Sequence, residues 1–130
     1  VNLSEIKKYW LKSSNEAFKT AQDLFESKRY SHAMFFLHLS VEKALKALYV
    51  NNNQAEAPFG HNLQNIAEKI NYIKIDDEKK GLLAEITTFN ISARYDDYKM
   101  SFYKMCTKKF AKEYLNKAEE LLKWLQSQMK

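Results

Sequence analysis

Between Tyr30 and Tyr49 the chain reads YSHAMFFLHLSVEKALKALY, and wound at the α-helical period this segment is apolar nearly all round through its first half. A helix of that kind cannot rest on a surface with one face in water, so it has to be covered on more than one side. Met34, Leu37, Val41, Leu45 and Leu48 fall on one broad stripe, the pattern of a core-facing surface. Phe35, Phe36 and Leu39 fall elsewhere, in the sector that holds Glu42, Lys43 and Lys46 but nearer the helix start. They require a second cover, from within the chain or across a dimer. The three charges mark the same helix as the edge of a site.

Composition points to an all-helical solution. Only two glycines and one proline occur in 130 residues, which disfavours strand topologies with many tight turns. A chain of this length suits one domain, residues 1–130, and folding at that size buries roughly two-thirds of the unfolded surface. The single cysteine, Cys106, cannot form an internal disulfide or supply a metal cluster, which fits a reducing compartment. No apolar run approaches the ~20 residues of a membrane span, and the region around Glu5 lacks a signal-peptide pattern. A soluble, cytoplasmic protein without membrane attachment is the expectation. The net charge of +5 permits attraction to phosphate without demonstrating it. Much of the excess sits at Lys108, Lys109, Lys112, Lys117 and Lys123 among Glu113, Glu119 and Glu120. The Glu113 to Lys117 and Glu119 to Lys123 spacings support a helix, so this region reads as a solvated face rather than a nucleic-acid stripe.

Five helical segments follow from the periodicity. The first runs from about Ser4, its N-cap, to Ser27, with Ile6, Trp10, Ala17, Ala21 and Leu24 on one side. The second spans about Ser31 to Asn51 and stops at Asn51-Asn52-Asn53, whose amides compete with backbone hydrogen bonds. Gln54 to Gly60, with Pro58, is the least helical stretch. Asn62 caps a short third helix carrying Leu63, Ile66, Ala67 and Ile70. Asp76 or Asp77 begins a fourth, with Leu82, Leu83, Ile86 and Phe89. Asp96 to Cys106 is irregular, and Thr107 caps a long last helix with Phe110, Tyr114, Ala118, Leu121, Leu122, Leu125 and Met129 on one side. Four long helices and one short one, joined by modest loops, predict an all-α, antiparallel up-and-down four-helix bundle with an additional short helix.

In that order the residues resemble a known family. Ala17 with Asp23, then Tyr30-Ser31-His32-Ala33 leading into Val41-Glu42-Lys43-Ala44-Leu45-Lys46-Ala47-Leu48, then His61-Asn62-Leu63 and Ala93-Arg94-Tyr95 are similar to the small prokaryotic HEPN domain proteins, over almost the whole chain. The resemblance implies a five-helix antiparallel bundle that commonly dimerises, in a family that includes nucleic-acid-cutting toxins and partners of small nucleotidyltransferases. Its ribonuclease branch pairs an arginine with a histidine a few positions later, the histidine moving protons while the guanidinium stabilises the phosphate charge. Arg94 matches the arginine, but Lys99, Met100 and Ser101 stand where the histidine belongs, and no histidine follows His61. The family's catalytic pair is therefore incomplete here, and no catalytic residue is assigned.

Arg94 can hold a phosphate with two parallel hydrogen bonds, Tyr95 can stack on a base, and Asp96 and Asp97 can orient the arginine. The structural alternative links Arg94 and the acidic pair to Glu42 or Lys43 across the bundle. His61, at a helix entrance after Pro58-Phe59-Gly60, either fixes that turn or contacts an anion. His32 reads as a surface or capping residue and His38 as a hydrogen-bonded core histidine. Three scattered histidines and the Asp96-Asp97 pair give no metal-ligand spacing, and no glycine-rich phosphate loop exists, so neither metal nor cofactor is expected.

The leading reading is a non-catalytic nucleotide- or RNA-binding module, with Arg94, Lys43 and Lys46 as phosphate contacts, Tyr95 orienting and Glu42 in support. It would act with a protein partner, a nucleotidyltransferase in a toxin–antitoxin-like pair. One alternative is an unusual metal-independent ribonuclease using Arg94 and His61. The other is an interaction domain without a nucleotide site. Tyr98, Met100, Phe102, Tyr103 and Met105, together with Phe35, Phe36 and Leu39, favour a homodimer.

Overall fold

The computed structural model describes residues 2–129 and contains six helices among them: α1 (Leu3–Glu26), α2 (Tyr30–Asn53), α3 (Leu63–Glu68), α4 (Asp77–Arg94), α5 (Ser101–Met105) and α6 (Lys108–Ser127). No strand occurs among the described residues, and none of their helices is long and apolar enough to cross a membrane. Side-chain capping starts α3, α4 and α6 where expected: Asn62, Asp76 and Thr107 each accept a backbone N–H three residues on. α1 begins earlier than Ser4, because the Asn2 side chain accepts the Glu5 N–H.

Cross-helix contacts fix the directions. Lys7 Nζ donates to Asn51 Oδ1 at 3.2 Å, the Ser14 hydroxyl to the Ser40 carbonyl at 2.7 Å, and the Phe25 and Tyr30 rings lie 5.5 Å apart, so α1 and α2 form an antiparallel hairpin. Arg94, at the end of α4, lies over Phe35 near the start of α2, so these two also run antiparallel. Glu85 bonds Tyr114 while Lys79 lies over Trp124, so α6 runs opposite to α4. The four long helices therefore alternate in direction around the bundle, with α2 and α6 as a parallel diagonal pair. α6 leans on α2 more than on α1. Alanines fit that approach, since Ala111 and Ala118 on α6 are fully buried.

α2 is the centre. Met34, Leu37, Val41, Leu45 and Leu48 are all fully buried, as their stripe requires, and Phe35, Phe36 and Leu39 are half-buried. α1 instead packs through small residues: Ser14, Ala17 and Ala21 are buried, whereas Ile6, Trp10 and Leu24 are only half-covered. The close approach that lets the Ser14 hydroxyl reach a backbone carbonyl leaves no room for larger side chains between the two helices. On the other side Phe89 joins three helices, with ring centroids 5.8 Å from Phe102, 5.9 Å from Phe110 and 5.1 Å from Tyr114. Cys106 is buried, and burial pushes its thiol up to about 12.

Two segments depart from the expectation. α2 runs on to Asn53, and the Asn52 and Asn53 amides bond outward rather than to their own helix. Asn52 Nδ2 donates to the Asn71 carbonyl and Asn53 Nδ2 to that of Lys69, while the Asn71 N–H returns to Asn53 Oδ1. The stretch read as irregular contains α5, and its N–H groups are satisfied by two carboxylates: Asp96 accepts from Phe102 and Tyr103, and Asp97 accepts from Ser101. Leu45→Ala, at a fully buried position, is expected to cost about 2–5 kcal/mol in urea unfolding. Leu39→Ala, at a half-buried one, should cost clearly less.

Candidate functional site

Phe35, His38, Glu42 and Lys46 recur at helical spacing, so α2 presents them as one line of side chains. Its middle member is a carboxylate in the protein interior: Glu42 is only 4 % exposed. Such a group requires partners, and it has them. Oε2 takes Lys46 Nζ at 3.1 Å and Oε1 takes His61 Nδ1 at 2.8 Å. Lys46 is itself buried and lies 5.2 Å from the Trp10 ring centroid, so an aromatic face on α1 completes its surroundings.

His61 belongs to the loop between α2 and α3, and it fastens that loop to α2 twice. Its Nδ1–H donates to Glu42, and its carbonyl accepts from His38 Nε2 at 2.9 Å. An ionised carboxylate only accepts, so the His61 proton sits on Nδ1 and Nε2 is left as the outer nitrogen of a ring that is 59 % exposed. The same logic places the His38 proton on Nε2. His38 Nδ1 then stays buried without a hydrogen-bond partner, 3.9 Å from Glu42 Oε1. Burial pulls the His38 pKa below its ordinary 6.5; the His61 carbonyl and Glu42 oppose this, and the charges of His61, when its ring is protonated, and Arg94 reinforce it.

Arg94 ends α4 beside the other end of the line. Its Nε donates to the Asn90 carbonyl at 3.1 Å, and the guanidinium lies 5.7 Å from the Phe35 centroid and 5.4 Å from that of Tyr95. Arg94 is exposed, and among the described residues no carboxylate lies within ion-pair distance of it. The cross-bundle ion pair considered from the sequence is absent. Glu42 is occupied by Lys46 and His61, and Asp96 and Asp97 are occupied by the N–H groups of α5. Partial desolvation pushes the Asp96 carboxyl up, but its backbone N–H bonds outweigh this and bring it below 3.8. The N–H and hydroxyl of Ser101 hold Asp97 below the same value. These two aspartates therefore order the chain after Arg94 rather than clamp its guanidinium.

The anticipated residues are thus brought together selectively. Arg94 and His61 are both attached to one face of α2, at positions seven residues and about 10 Å apart along its axis. Tyr95 is 71 % exposed beside Arg94, and Glu42 with Lys46 forms the buried support. Lys43 turns away, its Nζ bonding Ser13 Oγ at 2.6 Å on α1. His38 carries more than a core role, because it holds the His61 backbone. Its place on the line with Glu42 was the available signal. No three His, Cys, Asp or Glu side chains among the described residues are grouped as a metal site.

The neutral His38 makes stability pH-dependent in a definite direction. The unfolded imidazole, at its ordinary 6.5, binds a proton that the folded one resists, so this contribution is complete above that value and is lost as pH falls towards the lower folded pKa. Chemical-denaturation midpoints should fall between about pH 7 and pH 5. The fall should be shallower in His38→Gln, whose amide can still donate to the His61 carbonyl; identical slopes would contradict the assignment.

The family model for the HEPN domain matches residues 7–128. The crystal structure of TT1696 from Thermus thermophilus is similar to the chain with a TM-score of 0.84 at 19% identity, covering 95% of this chain and 98% of that one. That of ST0689, an archaeal HEPN homologue, gives a TM-score of 0.76 at 21% identity, with coverage of 95% and 98%. Both are likenesses of fold. Comparison with curated proteins finds no match. A family match over nearly the entire length, on a bundle shared with a HEPN homologue, establishes that the chain belongs to the HEPN domain family.

Proposed function

We propose that the protein is a phosphate-recognising module for a nucleotide or for RNA, acting with a protein partner. The observation that carries this reading is Arg94: an exposed guanidinium, steered by the Phe35 and Tyr95 rings and by the Asn90 carbonyl, with no carboxylate among the described residues to neutralise it. Holding the arginine by Nε and by ring faces leaves its outer nitrogens for two parallel bonds to a phosphate. Tyr95 offers an exposed ring for a base, and His61 Nε2 offers a second polar contact from the same side of α2. Lys46 acts indirectly, by holding Glu42 and through it His61. Lys43 is committed to Ser13, so the phosphate contact is assigned to Arg94 first. The partner best suited to this reading is a nucleotidyltransferase in a toxin–antitoxin-like pair, as the family resemblance suggests.

A specific observation also favours the ribonuclease alternative. A buried carboxylate that orients a histidine through Nδ1, with Nε2 directed outward, is an arrangement suited to proton transfer. Calorimetric titration with ATP and short RNAs distinguishes the readings when paired with an RNA cleavage assay. Arg94→Ala should weaken binding by about tenfold or more while the helical circular dichroism is kept. Cleavage that is lost in both Arg94→Ala and His61→Gln would move the assignment to the enzyme. Absence of any nucleotide or RNA binding by the wild type would leave the interaction-domain reading.

The exposed apolar residues support a homodimer. Ile91, Tyr95, Tyr98, Met100, Tyr103 and Met105 are all about half or more exposed on and around α5 and the end of α4, and Phe35, Phe36 and Leu39 are only half-covered. Light scattering across micromolar concentrations should give twice the chain mass, and Tyr98→Asp with Tyr103→Asp should shift it towards the monomer. A monomeric mass throughout would refute the dimer.

A further inference from the structure

A second surface, distant from Arg94, carries the opposite charge. α4 and α6 are bridged at one end by Phe89 with Phe110 and Tyr114, and by the Tyr114 to Glu85 hydrogen bond. Beyond Glu85 a groove of about 400 Å³ lies between them, bordered by Leu82, Leu121 and Trp124 and by the acidic side chains Asp77, Glu78, Glu85 and Glu120. Its position follows from the packing described above, because α6 leans on the diagonal helix α2.

The charge balance of this groove differs from that of the molecule. The chain as a whole is at +5, yet the groove holds four carboxylates and two lysines. Both lysines are already paired outside those four. Lys79 bonds Asp76 at 3.1 Å and lies 4.7 Å from the Trp124 centroid; Lys117 bonds Glu113 at 3.2 Å and lies 5.0 Å from that of Tyr114. Among the described residues, Asp77, Glu78, Glu85 and Glu120 have no ion-pair partner. Asp77 and Glu78 suit the first turn of α4, where negative charge is favoured, and Glu85 accepts the Tyr114 hydroxyl; neither accounts for Glu120. Gly81 adds a further feature. Its backbone is helical and needs no glycine, and a Cβ built there meets nothing within 4 Å, so the helix surface at the groove is bare.

We propose that this groove receives a basic amphipathic helix from a protein partner, its apolar side chains set on Leu82, Leu121 and Trp124 and its lysines or arginines meeting Glu78, Glu85 and Glu120. Two neighbouring helices with apolar side chains between them provide the geometry of helix-in-groove recognition, and carboxylates without an ion-pair partner among the described residues select the sign of the guest. Nucleic acid is disfavoured by the same charges. The assignment is independent of the phosphate reading, because Arg94 lies fifteen residues and about 22 Å farther along α4 than Lys79.

The probe is a synthetic helical peptide with leucines at i, i+3, i+4 and i+7 and lysines elsewhere, set against the same peptide with glutamates. Trp124 reports occupancy by fluorescence, and Trp124→Phe shows which part of the signal is its own. The lysine peptide should shift the emission and bind about tenfold or more tightly than the glutamate peptide, less so at high salt. The double charge reversal Glu78→Lys with Glu120→Lys, and separately Gly81→Met, should each reduce binding about tenfold, while Glu16→Lys with Asp23→Lys on α1 leaves it unchanged. Equal binding of the two peptides overturns the proposal. So does a silent Trp124, an equal loss in the α1 variant, or a concentration-dependent mass showing that a second copy of the chain fills the groove.

Discussion

Placing a carboxylate inside a helix bundle costs several kcal/mol unless the surrounding groups answer it, and the surroundings of Glu42 are built from three parts of the chain. Lys46 comes from the next turn of α2, His61 from the loop before α3, and Trp10 from α1 covers Lys46. His38 secures the carbonyl of the residue whose ring Glu42 holds. Each contact also positions something else. The buried ion pair sets the His61 ring, the His61 backbone sets the path of the α2–α3 connection, and that connection delivers Asn62 to cap α3. Replacing Glu42 with an apolar residue would maintain packing but release the exposed His61 ring, leaving the loop tied to α2 by His38 alone.

The apolar plan of the bundle was legible because burial follows period. All five residues of the α2 stripe are fully buried, and Asn62, Asp76 and Thr107 cap as their side chains allow. What periodicity does not give is the partner of a long polar side chain. Glu42, Lys43 and Lys46 share a sector, yet Lys43 sits about 60° beyond Lys46 around the helix, enough to send it to Ser13 instead of Glu42. α5 is not legible in the sequence for a related reason. A five-residue helix has too little period to read, and its N–H groups are satisfied by aspartates that sequence reasoning assigned to Arg94. The alanines and serine of α1 show a third case, where the largest apolar residues of a segment are not its most buried because the neighbouring helix comes too close.

Arg94 and Glu42 illustrate opposite treatments of charge on neighbouring ground. Glu42 is buried and answered from several sides. Arg94 is exposed, held by ring faces and one carbonyl, with no carboxylate of the described residues within ion-pair distance. Had Asp96 and Asp97 turned back to the guanidinium, the cation would have been spent within the fold. Their use on α5 instead does two things at once: it orders the chain that follows Arg94 and keeps negative charge directed at backbone N–H groups.

That division extends to the whole bundle. A net charge of +5 suggests a uniformly basic particle, but the charges are sorted along α4: among the described residues the helix ends with an arginine that has no ion pair and starts beside a groove with four carboxylates and two lysines. At physiological ionic strength the screening length is about 8 Å, shorter than the separation of the two ends, so each presents its own sign to a ligand. A polyanion approaching Arg94 and a basic helix approaching the groove would therefore not compete for the same field. The up-and-down topology makes this separation available, because it places the two ends of one straight helix at opposite ends of the molecule.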